Sequence, residues 1–422
     1  GSNIIFFGAT KAIASTSSSS VITVTVPSGA THSTIRVLNT GTSLSASSKE
    51  MFFPKYSPQK SSLSIVDFSP KVEVIGVASA EEFESVLADM DGDGKSDLII
   101  LSDGLSGSED FVSVYRNISV AGTLTSGSFA DRVDFPVGQN GYGQPGGLSI
   151  SDLDGDGKLD IAVAVHSGVS ILRNLAVSGV LNTSSFASSV LIDMGDYFSD
   201  LEVEDMDNDG KPDLVASYYD YSGTYGTIEI WKNYSTLGNI NALNSFALGG
   251  TFNIGNRLNS FAVGDINNDG KKDIVACQSG VNTVSVLRNI ASVGLLNNDS
   301  FATLTEVTTS NTVVGASTFV KLGDLNGDGK NDVILLKSTN EYPNPSFVVV
   351  LKNNNVAGGN SVSTFADGIE FAVGNYSQSL DIADFDGDGK PDLTVANTNA
   401  YTISVLKNNS SIGADLEFAA RI

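Results

Sequence analysis

The stretch Asp152-Leu-Asp154-Gly-Asp156-Gly157-Lys158-Leu-Asp160 places aspartates at positions 1, 3, 5 and 9 of a short loop, with glycine at position 6. The pattern occurs six times, at residues 89–97, 152–160, 205–213, 265–273, 324–332 and 384–392, which we number loops 1 to 6. The first aspartates of successive loops are 63, 53, 60, 59 and 60 residues apart. This regular interval indicates one structural unit repeated along the chain.

Each loop lies between segments that read as β-strands. An alternating run such as Phe261–Asp265 precedes the loop, and an apolar run such as Ile161–Val165 follows it. A third run, such as Thr283–Asn289, comes next. Alternation and β-branched residues favour strands. A Phe-Ala pair marks a fourth strand, at Phe129, Phe186, Phe246, Phe301, Phe365 and Phe418.

Four strands in about 60 residues are typical of a propeller blade, so the sequence predicts an all-β fold of the β-propeller class. Consecutive blades close into a ring, because an open set would leave unpaired sheet edges. A solenoid with turns of the same length is the alternative.

The chemistry of the loops predicts bound Ca²⁺. Carboxylates at positions 1, 3, 5 and 9 and the backbone carbonyl of position 7 supply the hard oxygen ligands that this ion takes. Without a cation these carboxylates would repel one another. Acidic turns without an ion are the alternative, which six copies in register argue against. The predicted ligands are Asp89, Asp91, Asp93, Lys95 and Asp97; Asp152, Asp154, Asp156, Lys158 and Asp160; Asp205, Asp207, Asp209, Lys211 and Asp213; Asp265, Asn267, Asp269, Lys271 and Asp273; Asp324, Asn326, Asp328, Lys330 and Asp332; and Asp384, Asp386, Asp388, Lys390 and Asp392.

An EF-hand is excluded, although its loop begins with the same spacing. That motif needs a glutamate at position 12 and flanking helices. Position 12 is apolar in every copy here: Ile100, Val163, Ala216, Ala276, Leu335 and Val395.

Composition narrows the possible functions. With 24 basic and 48 acidic residues the net charge is −24, which argues against nucleic acid or an anionic membrane as partner. No apolar run is long enough to cross a bilayer. Cys277 is the single cysteine, so no internal disulfide forms, and calcium is the expected means of stabilising a secreted protein. His32 and His166 are far apart and no Gly-x-Ser-x-Gly motif occurs, so we expect no enzyme.

On the DxDxDGxxD loop set between strands, residues 67–422 resemble the FG-GAP/VCBS repeat family, which includes integrin α-subunit propellers and fungal seven-bladed lectins. The resemblance implies one Ca²⁺ in each such loop, on one face of the ring. It also implies an extracellular or cell-surface location and a role in adhesion or recognition of a glycan or a protein.

Residues 1–54 resemble the later strands of an IPT/TIG immunoglobulin-like domain, through Asn3–Lys11 and Val21–Ala30. The expected organisation is a partial Ig-like domain at 1–54, a linker at 55–66 and the propeller at 67–422. Because this pairing recurs in large bacterial surface proteins, the chain resembles a piece of one.

The number of blades is six or seven. The sequence pattern of the outer, fourth strand occurs seven times if Phe68–Val74 is included, but the acidic loop occurs only six times. That segment would be the outermost strand of a seventh blade whose inner strands would follow Ile422. We favour seven blades; the alternative is six, with this strand paired elsewhere.

Antiparallel blades place the loops on one face and leave the opposite face free for a ligand. Tyrosines in the connections of that face suit adaptable contacts with glycans or protein loops. The candidates are Tyr142, Tyr197, Tyr219, Tyr221, Tyr225, Tyr342 and Tyr376. Tyrosine and glycine are also ordinary residues of exposed loops, which is the alternative interpretation.

The repeated Arg/Lys-Asn at the end of the third strand, as in Arg173-Asn174 and Arg288-Asn289, is interpreted as a surface turn. A recognition module is thus the predicted function. A structural spacer in a large surface protein or, less favoured, an enzyme acting on polysaccharide are the alternatives.

Overall fold

A computed structural model of the chain describes residues 3–17, 21–27, 30, 33–42, 44–52, 80–104, 109–120, 123–139, 146–195, 198–219, 225–278, 280–309, 316–338, 345–355, 365–386, 388–398 and 400–419. In this part of the chain, no helix is long and apolar enough to cross a membrane. A single 3₁₀ turn is described, at Asn298–Ser300.

The N-terminal residues form a five-stranded sheet with the strand order β3-β2-β1-β4-β5. Its strands are β1 (Asn3–Phe7), β2 (Thr10–Ser17), β3 (Ile22–Val24), β4 (Ser33–Asn39) and β5 (Leu44–Phe52). The central strand β1 pairs antiparallel with both β2 and β4. This arrangement is called the N-terminal sheet below.

The repeats form six further sheets, which we number in chain order. Sheet 1 contains β6 (Ala80–Ala88), β7 (Asp97–Gly104), β8 (Glu109–Tyr115) and β9 (Val133–Gln139). Sheet 2 contains β10 (Gly147–Ser151), β11 (Asp160–Val165), β12 (Gly168–Leu172) and β13 (Val190–Asp193). Sheet 3 contains β14 (Phe198–Glu204), β15 (Asp213–Tyr219), β16 (Tyr225–Asn233) and β17 (Phe246–Asn256).

The second half repeats the arrangement. Sheet 4 contains β18 (Leu258–Gly264), β19 (Asp273–Gln278), β20 (Thr283–Leu287) and β21 (Thr305–Thr308). Sheet 5 contains β22 (Ala316–Gly323), β23 (Asp332–Ser338), β24 (Phe347–Leu351) and β25 (Ile369–Ala372). Sheet 6 has three described strands, β26 (Ser377–Ala383), β27 (Asp392–Asn397) and β28 (Thr402–Leu406).

The predicted all-β fold built from four-stranded repeats is confirmed. In sheets 1 to 6, neighbouring strands follow one another in sequence. The strands of sheet 2, for example, pair antiparallel throughout. Each acidic loop joins the first strand of its sheet to the second, as the sequence predicts. The fold is of the β-propeller class.

In sheets 1, 2, 4 and 5 the Phe-Ala pair lies before the fourth strand rather than in it, whereas in sheet 3 Phe246 begins β17. Phe129, Phe186, Phe301 and Phe365 each form an isolated antiparallel bridge with the asparagine that ends the third run. A connecting turn separates that asparagine from the phenylalanine. The fourth strand starts only after the bridge has closed this turn, which corrects the predicted strand boundary.

Contacts divide the chain into two compact units. The first holds the N-terminal sheet up to Ser48, sheets 1 and 2, and most of sheet 3; the second holds the rest of the repeats, from Phe252 onward. Within the first unit β6 contacts β10 and β10 contacts β14, and within the second β18 contacts β22 and β22 contacts β26. In each unit, therefore, the first strands of consecutive sheets lie side by side, as in a propeller.

The cores lie between consecutive sheets of one unit. In sheet 2, Val163 and Ile161 pack toward sheet 1, where they join Ile99 and Val114 in one apolar cluster. Ala162 and Ile171 of the same sheet pack with Leu201 of sheet 3 in another cluster. Because successive side chains of a strand point to opposite faces, one strand contributes to both cores, and all six residues of β11 are buried.

The N-terminal sheet packs against the acidic loops of the first unit. Phe6 and Leu38 share an apolar cluster with Met90 of loop 1 and Leu159 of loop 2. Polar contacts continue this interface: Lys11 Nζ donates to the carbonyl of Gly157 at 3.1 Å. The proposed boundaries at 54 and 66 and the Ig-like family assignment stay predictions, and the Phe68–Val74 segment lies outside the described residues.

A matched pair of glycine substitutions tests this interface. Gly157 and Gly94 occupy position 6 of loops 2 and 1 with φ of +85° and +87°. A Cβ on Gly157 would lie 2.4 Å from Ile4 Cδ1, whereas a Cβ on Gly94 would meet nothing within 4 Å. Backbone strain is equal in the two variants, but the end of the Ile4 side chain must move in Gly157→Ala, which is expected to cost about 1 kcal/mol more than Gly94→Ala in chemical denaturation. Equal costs would contradict a close contact between Ile4 and loop 2.

Candidate metal sites

The acidic loops are held by hydrogen bonds from their own backbone to the aspartates. In loop 2, Asp152 Oδ1 accepts from the N–H of Asp156 at 3.1 Å and Asp152 Oδ2 from the N–H of Gly157 at 3.0 Å. Asp154 Oδ1 accepts from Asp156 N–H, and Asp156 Oδ1 from Lys158 N–H at 2.9 Å. Corresponding bonds recur in the other five loops. The carboxylates are thereby turned toward one centre.

The aspartate at position 9 closes each loop. Asp160 Oδ2 accepts from the N–H of Leu153 at 3.0 Å, and its Oδ1 from the N–H of Asn174 at 2.8 Å. The same two bonds occur in loops 1, 3, 4, 5 and 6. One side chain therefore joins the start of the loop to the end of the third strand.

The asparagine that ends the third run connects consecutive sheets. Asn174 Nδ2 donates to the carbonyl of Leu159 in its own loop and to that of Met90 in loop 1, both at 2.8 Å. Asn233, Asn353 and Asn408 make the equivalent pairs of bonds. The interpretation of Arg/Lys-Asn as a surface turn is wrong, because Asn174 and Asn289 are fully buried. Identical placement at every repeat was the signal that could have revealed this role.

Four of the loops bring three carboxylates together closely enough to hold one ion. The sets are Asp89, Asp91 and Asp97; Asp152, Asp154 and Asp160; Asp205, Asp207 and Asp213; and Asp384, Asp386 and Asp392. Within each set, one oxygen from each residue lies within 4.8 Å of the others. Loops 4 and 5 have asparagine at position 3, so their third oxygen donor is an amide carbonyl.

The FG-GAP-like repeat model matches residues 89–163, 152–216, 205–276 and 324–395, well over half of the chain. The chain belongs to the FG-GAP-like repeat family. Each match begins at the first aspartate of a loop and ends in the second strand of the following repeat, so the acidic loops are the FG-GAP loops of this protein.

No curated protein sequence matches the chain significantly. Among solved structures, an Agrocybe aegerita lectin described as recognising non-reducing terminal N-acetylglucosamine is 18% identical, with a TM-score of 0.47 over 81% of this chain and 80% of the lectin. A Photorhabdus luminescens Tc holotoxin pore is 13% identical, with a TM-score of 0.37 over 95% of this chain and 18% of the toxin. The V. cholerae biofilm matrix protein Bap1 is 13% identical, with a TM-score of 0.27 over 100% of this chain and 72% of Bap1. These scores carry no argument about function.

Burial raises the pKa of some of the FG-GAP carboxyls. Burial raises the pKa of the position-1 acids Asp89, Asp152 and Asp205 to about 6. It raises the pKa of the position-9 acids Asp97 and Asp273 to about 7. Neighbouring carboxylates of the same loop add to the effect. Ionised carboxylates in these loops therefore need a compensating cation.

The residues present fit a hard divalent cation. The ligand side chains carry oxygen donors, and no cysteine or histidine belongs to any described loop. In loop 2, Asp154 Oδ2 is buried and has no hydrogen-bond partner. A buried ionised oxygen without a partner is costly, and a bound cation would satisfy it.

Basic side chains from the third strand reach some of the FG-GAP loops. Arg116 pairs with Asp91 and Asp93, with Nη2 3.0 Å from Asp93 Oδ2. Lys232 pairs with Asp207 and, at 2.7 Å, with Asp209. Sequence reasoning did not assign these residues to the loops, because each lies more than 20 residues away along the chain.

The predicted tyrosines are only partly described. Tyr219 and Tyr225 belong to strands β15 and β16, and Tyr142, Tyr197, Tyr221 and Tyr342 lie outside the described residues. Tyr376 is half-buried just before β26, at the end of sheet 6 opposite its FG-GAP loop.

A tyrosine that the sequence analysis did not single out lies beside Tyr376. Tyr401, in the connection between β27 and β28, is 95% exposed. Thr398 links the two segments, since its N–H donates to the carbonyl of Tyr376 at 3.1 Å and its carbonyl accepts from Tyr401 N–H at 3.2 Å. Both tyrosines have left-handed backbones, with φ of +52° and +51°. Such conformations are uncommon for bulky residues and occur at functional surfaces.

Proposed function

We propose that this chain is a calcium-stabilised recognition module of extracellular proteins, which binds a glycan or protein ligand on the face opposite its FG-GAP loops. The observation that carries the proposal is the set of buried carboxylate clusters placed where consecutive sheets meet. In each loop, Ca²⁺ would be held by the side chains of positions 1, 3, 5 and 9 and the carbonyl of position 7.

Calcium in these loops would stabilise the contacts between sheets. The position-2 carbonyl of one loop accepts from the asparagine of the next sheet, and the position-3 carbonyl accepts from a glycine N–H of that sheet. Gly179 N–H donates to Asp91 at 3.1 Å, and Gly413 N–H to Asn326 at 2.9 Å. A cation that fixes the loop therefore also fixes the acceptors on which the next sheet depends.

The opposite face is then free for a ligand. In sheet 6, the connection between β27 and β28 lies at the end of the sheet opposite its FG-GAP loop. On sheet 6 it presents the exposed ring of Tyr401 beside Tyr376. An exposed tyrosine offers a large, rigid contact surface with a hydroxyl, which suits both sugars and protein loops.

Substitution of Tyr401 tests the recognition role. The chain, labelled and saturated with Ca²⁺, is applied to a glycan array and to a panel of immobilised extracellular proteins. Tyr401→Ala is expected to weaken any specific binding about tenfold or more, since a central aromatic contact contributes roughly 2 kcal/mol. Tyr234→Ala is the matched control, because Tyr234 is 52% exposed but follows the third strand, on the side of the FG-GAP loops.

The control variant should bind like the unmodified chain. Absence of specific binding to both panels would refute the recognition role and leave a structural spacer. Equal losses in the two variants would place the ligand elsewhere than on the proposed face.

A further inference from the structure

The outer oxygens of the FG-GAP loops accept hydrogen bonds from a side chain of the protein in five of the six loops. In loops 1, 3 and 6 a basic residue of the third strand, Arg116, Lys232 or Lys407, pairs with the position-3 and position-5 aspartates. In loops 4 and 5 the position-3 residue is asparagine. Its amide donates to the position-5 carboxylate, at 3.1 Å for Asn267 and 3.3 Å for Asn326.

Loop 2 differs from this pattern. The corresponding basic residue, Arg173, has its Nη1 3.9 Å from Asp154 Oδ2, beyond hydrogen-bond distance. Among the described loop carboxylates, Asp154 Oδ2 is the buried oxygen left without a hydrogen-bond partner. Asp154 itself is only 3% exposed, so water does not replace the missing partner freely.

A cavity of about 230 Å³ lies next to Asp154 of loop 2 and is lined by residues of the N-terminal sheet and of loop 3. Arg36 of β4 lines it and its charge acts on Asp152 of loop 2, but the hydrogen bond that its guanidinium makes goes to Ser151 Oγ at 2.9 Å, and the guanidinium stacks on the Phe6 ring. Since a water occupies roughly 30 Å³, the cavity has room for an ion with several waters.

We infer that the six FG-GAP loops are not equivalent, and that loop 2 is the tightest calcium site of the chain. Arg116, Lys232 and Lys407 act as tethered counter-ions that weaken binding at loops 1, 3 and 6. The inference deepens the proposed function, because it presupposes that the loops bind Ca²⁺.

Competition between cations is the physical reason. At loop 3 an incoming ion must break charge-assisted bonds from Lys232 to Asp207 and Asp209, and such bonds are about twice as strong as neutral ones. At loop 2 the incoming ion breaks no such bond and satisfies Asp154 Oδ2. Loops 4 and 5 carry one carboxylate fewer, and calcium affinity depends on ligand charge.

Calorimetric titration of the metal-free full chain with Ca²⁺, in competition with a chelator of known affinity, measures the hierarchy. We expect one site per chain to bind about tenfold or more tightly than the rest. Asp154→Asn should abolish this tight class, whereas Asp207→Asn, the same change in loop 3, should leave it. Both variants are expected to fold, because loops 4 and 5 carry asparagine at this position.

Lys232→Met supplies the reverse test. Removing the tethered ammonium should move loop 3 into the tight class, so that two sites per chain bind tightly. A single class of equal sites, or a tight class that survives Asp154→Asn, would overturn the inference while leaving calcium binding intact. Absence of any binding heat would instead refute the proposed function itself.

Discussion

Removal of divalent cations is expected to lower the melting temperature of this chain by roughly 10–30 °C. An ion present at about 100 times its dissociation constant stabilises the native state by about 2.7 kcal/mol per site. Two or three sites occupied to this extent therefore contribute about 5–8 kcal/mol. For a unit of this size, each kcal/mol corresponds to about 2–4 °C.

The structure gives the reason for so large an effect. The FG-GAP carboxyls are buried at the junctions between sheets, and burial raises the pKa of Asp97 and Asp332 to about 7. Without a cation, their ionisation opposes folding where consecutive sheets meet. Differential scanning calorimetry of the chain in Ca²⁺, in EDTA, and in EDTA followed by excess Ca²⁺ measures the difference. Identical melting curves in the three conditions would contradict the stabilising role.

Substitution of the asparagine that joins two sheets is expected to have the second large effect. Asn174→Ala should lower the free energy of unfolding by about 3–5 kcal/mol, because it leaves buried groups unpaired. The Nδ2 of Asn174 donates to the carbonyls of Met90 and Leu159, and its Oδ1 accepts from Ala176 N–H at 2.7 Å. Urea denaturation at saturating Ca²⁺ measures the change without altering the metal content.

Asn117 provides the matched control. It occupies the same position in sheet 1 and is half-buried, and its Nδ2 donates to Ser96 of its own loop at 2.8 Å. Asn117→Ala is therefore expected to cost only about 1–2 kcal/mol. If both substitutions cost the same, the bond from Asn174 to Met90 contributes nothing to the cohesion of sheets 1 and 2.

The parts of the fold that depend on local pattern could be predicted from the sequence. Runs such as Ile161–Val165 alternate or are wholly apolar, and Gly157 marks the turn where the backbone needs a positive φ. These signals lie within a few residues of one another. The loops, their flanking strands and the absence of an EF-hand follow from them.

The contacts between repeats could not be predicted in the same way. Asn174 and Met90 are 84 residues apart, and nothing near Asn174 indicates which carbonyl it reaches. The docking of Ile4 over Gly157 likewise depends on a distance of about 150 residues along the chain. The pairing of Lys232 with Asp207 joins a third strand to a loop, and an isolated lysine before asparagine has the pattern of an ordinary turn.

The candidate tyrosines of the ligand face were predicted from residue type and loop position, and neither reports exposure. Tyr401 was not singled out, because it lies in a short connection, whereas the candidates were drawn from the longest connections. Its exposure follows from the turn between β27 and β28, which the sequence does not define.

A crystal structure of the full chain grown in Ca²⁺, with anomalous difference maps, tests the central claim most directly. Calcium binding at the FG-GAP loops predicts a peak among the position-1, position-3 and position-5 side chains of each loop, strongest at Asp154. Loops with the same carboxylate arrangement but no anomalous signal, at millimolar Ca²⁺, would contradict the claim.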